Sequence, residues 1–186
     1  MVGKVITEIS YEQDAWQGRC DTHESRYFGR IWSQIGYDPE WKIADPFARN
    51  CPIGTHTNDL NPNTQAQDHM DALVWLKKQE SNYFDFVILD PPFSDEANDR
   101  IYDHEKLHGE KSNIYTQATY FKQIMMEIFR ILKPFGRVLR FGYTSSSLCK
   151  GLELMRIWII NFYSPRNDVL VCMFYKNQAT LDMFLT

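Results

Sequence analysis

Asp90-Pro91-Pro92-Phe93 is the stretch best suited to chemistry, because it follows the apolar run Phe84–Leu89 without a gap. A run of that composition predicts a central parallel strand covered on both faces. Ligands of open α/β sheets bind beyond the carboxyl ends of such strands. Two consecutive prolines remove backbone donors and stiffen the turn, so the Asp90 carboxylate and the Pro91 carbonyl are held ready as acceptors. An exocyclic amine on a nucleobase is a weak nucleophile because its lone pair is delocalised into the ring. Acceptors set against its N–H groups localise that pair, and Phe93 offers a face on which an extruded base stacks. Taken alone, the tetrapeptide is equally a tight turn with an exposed acid.

The elements that must position this turn alternate between helix and strand. Residues 24–35 predict a helix, with Tyr27, Phe28, Ile31, Trp32 and Ile35 at three- and four-residue steps and Gly36 as its stop. At that spacing these aromatics read as core. Residues 41–44 and 55–60 predict short strands, and 67–78 a helix carrying Met70, Leu73, Val74 and Leu76. Residues 117–132 predict the best helix, with Phe121, Ile124, Met125, Ile128, Phe129 and Leu132 in one stripe. Lys133, Pro134, Phe135 and Gly136 stop it, and 137–143 form the next strand. Residues 154–162 and 168–175 are apolar runs at hairpin spacing and predict an antiparallel pair. Residues 1–22 have no clear period and read as an arm with one short strand. The pattern predicts one α/β domain: an arm and helix over 1–40, then an open, mostly parallel core sheet over 41–175 that ends in an antiparallel hairpin.

Three upstream segments add to the picture. Asp45-Pro46-Phe47-Ala48 follows the first core strand, Asn58-Asp59-Leu60 ends the second, and Asp71-Ala72 lies in the helix after it. Singly, Asp59 and Asp71 read as surface acids. In this order, ahead of Asp90-Pro91-Pro92-Phe93, the set resembles the S-adenosylmethionine-dependent amino-methyltransferases. These are DNA methylases with the motif Asp/Asn/Ser-Pro-Pro-aromatic and a cofactor loop that opens Asp-Pro-Phe. The resemblance covers roughly residues 41–175 and implies a Rossmann-like methyltransferase fold. It implies that Asp45, with Pro46, Phe47 and Ala48, faces the methionine part of S-adenosylmethionine. Asp59, with Asn58 and Leu60, would then face the ribose hydroxyls, and Asp71, with Ala72, the adenine. A carboxylate suits two vicinal hydroxyls because it accepts from both. Asp90, Pro91, Pro92 and Phe93 would hold the target amine and its base.

Two features depart from the family pattern. After Phe47 the family has glycines that let the backbone approach the ligand, whereas this chain reads Ala48-Arg49-Asn50-Cys51-Pro52-Ile53-Gly54. The interval from Asp45 to Asp59 is also short, since a parallel crossover normally takes about a dozen residues or more. The first crossover helix is therefore expected to be reduced to a turn, with the helix at 24–35 packed in its place. Either Arg49 or Asn50 replaces the lost backbone contacts, or the site is silent and the chain serves as a scaffold or partner-binding subunit. Family members also carry a separate target-recognition domain, for which there is no room here. The polar segment 94–116, with Arg100, His104, Lys106, His108 and Lys111 among many acids, is expected to be a mobile loop, over the substrate or simply solvated. Target choice is expected to be weak or supplied by a protein partner.

Composition bounds the rest. Apolar residues make up 44% and aromatics 15% of the 186 residues, which excludes a disordered chain. No apolar run approaches the ~20 residues of a membrane span, and the first residues lack an export signal, so a cytoplasmic protein is expected. Cys20, Cys51, Cys149 and Cys172 form no CxxC pair, and Cys20 with His23 lacks a second ligand pair. Free thiols and no metal site are expected. A net charge of −4 argues against gripping nucleic acid by charge alone, though not against brief binding of DNA through one patch. The resemblance implies methyl transfer to the exocyclic amine of adenine in DNA, with RNA, a nucleotide or a small amine as other acceptors. Small solitary methylases of this kind are encoded by phages.

Overall fold

A computed structural model describes residues 5–11, 22–92, 118–162 and 169–177. Phe93, the segment 94–116, Cys20 and the turn joining the last two strands lie outside the described residues. The strands are β1 (Val5–Tyr11), β2 (Ile43–Asp45), β3 (His56–Thr57), β4 (Phe84–Leu89), β5 (Leu132–Gly142), β6 (Leu152–Phe162) and β7 (Val169–Lys176). They form one seven-stranded sheet in the order β1-β6-β7-β5-β4-β2-β3. Only β7 is reversed, antiparallel to both β5 and β6. The fold is an open, mostly parallel Rossmann-like α/β sheet with an antiparallel C-terminal hairpin.

Alternation along the strands splits the core in two. Ala44, Val87, Leu89, Val138, Cys172 and Phe174 meet α2 (Ala72–Lys78) and α3 (Ala118–Ile131) on one face. Ile43, Phe86, Ile88, Leu139, Phe141 and Val171 meet α1 (Arg26–Gln34) on the other. α1 starts where the Ser25 hydroxyl accepts from Phe28 N at 3.2 Å, an N-cap bond. It ends where Gly36 takes φ +65, a left-handed position that favours glycine. α3 buries Ile124, Met125, Ile128 and Ile131, the stripe its sequence predicts. Its Arg130 donates to the carbonyls of Leu76 and Gln79 at 2.9 and 2.8 Å, adding to the Gln79 N–H that already reaches Leu76 O at the end of α2.

Several elements differ from the sequence reading. The N-terminal arm does not: its expected strand is there, seven residues long and parallel to β6. The helix expected from residue 67 begins at Ala72, because Asp68 instead forms a parallel bridge to Asn58. Asp68 thus lies beside Asn58 just past β3, and Asp71, at φ −54 and ψ 132, is the N-cap. On α2 the buried residues are Ala72, Leu73, Trp75 and Leu76, while Val74 is exposed. β5 starts at Leu132, and the expected stop is absorbed as an irregularity in the β4–β5 register, with Phe135 at φ +63.

Two parallel crossovers carry no helix. Residues 46–55 between β2 and β3 are turns, as the short interval predicts. Residues 143–151 between β5 and β6 are also non-helical, and they return from the level of Gly142 to that of Lys176 across β7. A chain crossing a sheet face without a helix leaves carbonyls that need donors. Arg140, 2% exposed, supplies them: its guanidinium donates to the carbonyls of Thr144 and Ser146. It lies 5.8 and 5.2 Å from the ring centres of Phe121 and Phe174, positions that favour a cation.

Candidate functional site at the carboxyl edge

β2, β3 and β4 run parallel and end together. Asp45 lies level with Thr57 of β3, and Ala44 level with Val87 of β4. The residues just beyond the strand ends are therefore Pro46 and Phe47, Asn58 and Asp59, and Asp90, Pro91 and Pro92. This edge is where open α/β sheets take ligands. Sequence order alone placed these motifs in a row; the sheet brings three of their acids, Asp45, Asp59 and Asp90, into one electrostatic cluster.

Asp45 is 2% exposed, and its Oδ1 accepts from Phe47 N at 3.2 Å. Burial pushes its carboxyl well above the usual range. The Phe47 N–H opposes that rise, and the charges of Asp90 and Asp59 add to it. Asp59 is fully buried and accepts from Asn61 N at 2.9 Å and Arg49 N at 3.0 Å. Burial raises its pKa too, while those two N–H groups and the charges of Arg49 and His69 pull it back. Asp90 is half-buried, and Pro91 and Pro92 are buried behind it.

Asn58 is the knot of the site. It is fully buried, and its Nδ2 donates to the carbonyls of Met70 and Pro46 at 2.9 and 3.2 Å. Its Oδ1 accepts from Met70 N at 3.1 Å. Both amide donors are thereby engaged in fixing the loop after β2 against the segment before α2. Asp71 caps α2 through Val74 N at 2.9 Å, and its other oxygen accepts from the Tyr120 hydroxyl at 2.9 Å. Pro46, Phe47 and Ala48 are buried, as is Ala72, while Leu60 packs at the edge of the α2–α3 core.

Two participants were not singled out from sequence as structural members of the site. Tyr120 links Asp71 to α3, and the Cys51 side chain bonds to Asp45. Neither has a local sequence signal, since both act across long or irregular connections. Arg49 stands out differently. Cys51 N donates to Ala48 O at 2.8 Å, closing a turn in which Arg49 takes φ +48. A non-glycine residue there costs roughly 1–2 kcal/mol. The left-handed turn is thus held by a residue that carries a guanidinium.

The edge is rich in acceptors and suits a ligand that brings N–H and O–H groups or positive charge. Among the described residues no group of three or more His, Cys, Asp or Glu is placed to hold a metal, and no helix is long and apolar enough to cross a membrane.

Fold and site together define a Rossmann-like α/β protein with acids lining the carboxyl edge of its sheet. Solved structures of similar shape include yhhF from Escherichia coli, described as a candidate methyltransferase. The likeness has 10% identity and a TM-score of 0.48 over 81% of this chain and 82% of that one. A conserved hypothetical protein of Streptococcus pyogenes matches with 15% identity and TM-score 0.48, over 81% and 95%. The N-methyltransferase NodS from Bradyrhizobium japonicum WM9 matches with 11% identity and TM-score 0.46, over 73% and 85%. No family profile and no curated protein matches the sequence.

Proposed function

We propose that this chain transfers a methyl group from S-adenosylmethionine to the exocyclic amine of a nucleobase, with adenine in DNA as the first candidate. The observation that carries the reading is the convergence of Asp45, Asp59 and Asp90 beyond the ends of three adjacent parallel strands. The residues fit the cofactor in the chemistry of their atoms. S-adenosylmethionine presents two ribose hydroxyls, an adenine amine, an ammonium and a sulfonium, all donors or cations, and the edge presents carboxylates. Each Asp59 oxygen accepts one backbone N–H and retains a further lone pair. Because Asp45 and Asp59 lie under the loop that holds Arg49, entry requires that loop to shift outwards.

The cofactor supplies an electrophilic methyl group. Asp90 accepts from the amine and keeps its lone pair directed, while the paired prolines hold the carboxylate in place. Protein acceptors that are already oriented need no rearrangement as charge develops on the amine. Phe93 is assigned the stacking role by the resemblance. A protein partner supplies target recognition, and RNA or a free nucleotide is the next acceptor to try.

A second reading, a silent scaffold, is favoured by the enclosure of Asp59, both of whose oxygens bond to backbone. Calorimetric titration with S-adenosylmethionine separates the two. Saturable binding that Asp59→Ala weakens, followed by transfer of labelled methyl to DNA, supports the enzyme. Folded protein that binds no cofactor at millimolar concentration overturns it.

A further inference from the structure

We propose that Tyr143 is a base-stacking residue of the acceptor site, set beside Asp90. This rests on the methyl-transfer reading above and deepens it. β4 and β5 are parallel, with Leu89 level with Arg140. Continued past the end of β4, that register sets Asp90 level with Phe141 and Pro92 level with Tyr143. Alternation assigns the faces. Ile43, Ile88 and Phe141 pack on the α1 side of the sheet, and Asp45, Asp90 and Tyr143 each follow two residues later, on the same side. The charge that Asp45 feels from Asp90 agrees with that shared side. Two residues of strand span about 7 Å, so Tyr143 stands that much further out than Asp90, a reach that a nucleobase covers. A base whose amine meets the Asp90 carboxylate then lies across the Tyr143 ring.

Tyr143 is 46% exposed. The other exposed aromatics among the described residues, Tyr37 and Phe135, belong to the amino edge. Tyr37 packs against Trp41 ahead of β2, and Phe135 precedes the part of β5 that pairs with the middle of β4. The carboxyl edge therefore carries one exposed aromatic among the described residues, and the chain just after it is pinned. Arg140 is buried, and its guanidinium donates to the carbonyls of Thr144 and Ser146. The Cys172 thiol also reaches Thr144 O, at 3.8 Å. Burying a cation is unfavourable unless it is well hydrogen-bonded, and here the buried cation fixes a loop that no helix supports. An exposed ring on a fixed backbone loses little freedom when a ligand stacks on it. Stacking suits any base, since each has a π face.

The test measures binding of two labelled single-stranded oligonucleotides of equal length in the presence of S-adenosylhomocysteine. One is oligodeoxyadenylate; the other is an abasic strand with the same phosphates and no bases. Wild type is expected to prefer the first. Tyr143→Ala is expected to weaken it about tenfold, equivalent to ~1.4 kcal/mol and on the scale of base–aromatic stacking, with the abasic strand unchanged. Tyr143→Phe keeps the ring and is expected to recover most of the loss. The dissociation constant for S-adenosylhomocysteine should hold in both variants, so that lost oligonucleotide binding is not lost folding. Equal weakening of both strands by Tyr143→Ala means that the residue acts only through loop shape and overturns the stacking role. Unchanged binding of the adenine strand also overturns it, and leaves the methyl-transfer reading standing where wild type still methylates DNA. Wild type that neither binds S-adenosylhomocysteine nor prefers the adenine strand sinks that reading and this inference together.

Discussion

The Tyr120 hydroxyl donates to Asp71 Oδ2 at 2.9 Å and accepts from Leu73 N at 3.3 Å. One side chain of α3 thus completes the N-terminus of α2, while Arg130 of the same helix completes its C-terminus. A helix of seven residues is too short to stand alone, so α2 exists because α3 holds both its ends. That is how an acid beyond the sheet edge comes to be fixed in place.

Tyr120→Phe removes the donor and leaves the ring in the core. Both hydrogen bonds of the hydroxyl are lost, so the expected loss is about 1–3 kcal/mol, read as a lower urea midpoint with an unchanged slope. Because Asp71 Oδ1 still caps Val74 N, α2 should remain helical by hydrogen exchange.

Arg140→Met strips the donors from the carbonyls of Thr144 and Ser146. Both carbonyls lose a charge-assisted hydrogen bond, while Thr144 O keeps the Cys172 thiol at 3.8 Å, and the loss is expected to cost about 1–3 kcal/mol in all. The crossover over 143–151 has no helical bonds of its own, so its amides should exchange faster in the variant while those of β4 do not. Arg140→Lys should recover only part of the loss, since a single ammonium lacks the fork that spans two carbonyls.

Much of this architecture is legible in the sequence because the relevant signals are local. The nearly all-apolar run Phe84–Leu89 marks the central strand, the stripe from Ile124 to Ile131 marks α3, and Gly36 marks the end of α1. What escaped depends on distant partners. The partner of the arm's strand is β6, some 150 positions away, and no local signal marks it. Residues 67–70 were expected in the helix yet lie outside it, because the Asn58 side chain claims both the N–H and the carbonyl of Met70. Arg140 occupies a strand position that reads as half-exposed, and only the path of the loop beyond it makes burial tolerable. Within the site, the placement of the acids at the ends of strands was legible from the motifs. Their enclosure, and the positive φ of Arg49, were not.

Stability should report the Asp45 carboxyl through pH. Burial, together with Asp90 and Asp59, raises its pKa in the folded state above that of the unfolded chain. The folded protein therefore holds a proton that the unfolded chain has lost, so this site's favourable contribution is present at low pH and fades as pH rises through the folded value. Asp45→Asn is neutral throughout and keeps an oxygen for Phe47 N. It should be more stable than wild type at pH 7, with the gap narrowing as pH falls towards the unfolded carboxyl range near ~4. Urea midpoints of both proteins across that window check this, and a gap that widens on acidification contradicts the assignment.

Asp90 is the residue on which the proposed chemistry turns. It is half-buried at the end of β4, beside the acids proposed for the cofactor, so on that proposal its loss should affect the reacting amine more than the bound cofactor. Asp90→Ala is expected to lower kcat for methyl transfer to DNA at least ~100-fold, the scale of removing one preorganised polar group that acts in the transition state. The dissociation constant for S-adenosylhomocysteine should stay within about twofold, a change below ~0.5 kcal/mol. Asp90→Asn should retain part of the activity, because its amide carbonyl still accepts from the amine. A variant that loses cofactor binding and activity in equal measure would place Asp90 with the cofactor acids instead, and Pro91 would then be left as the acceptor for the target amine.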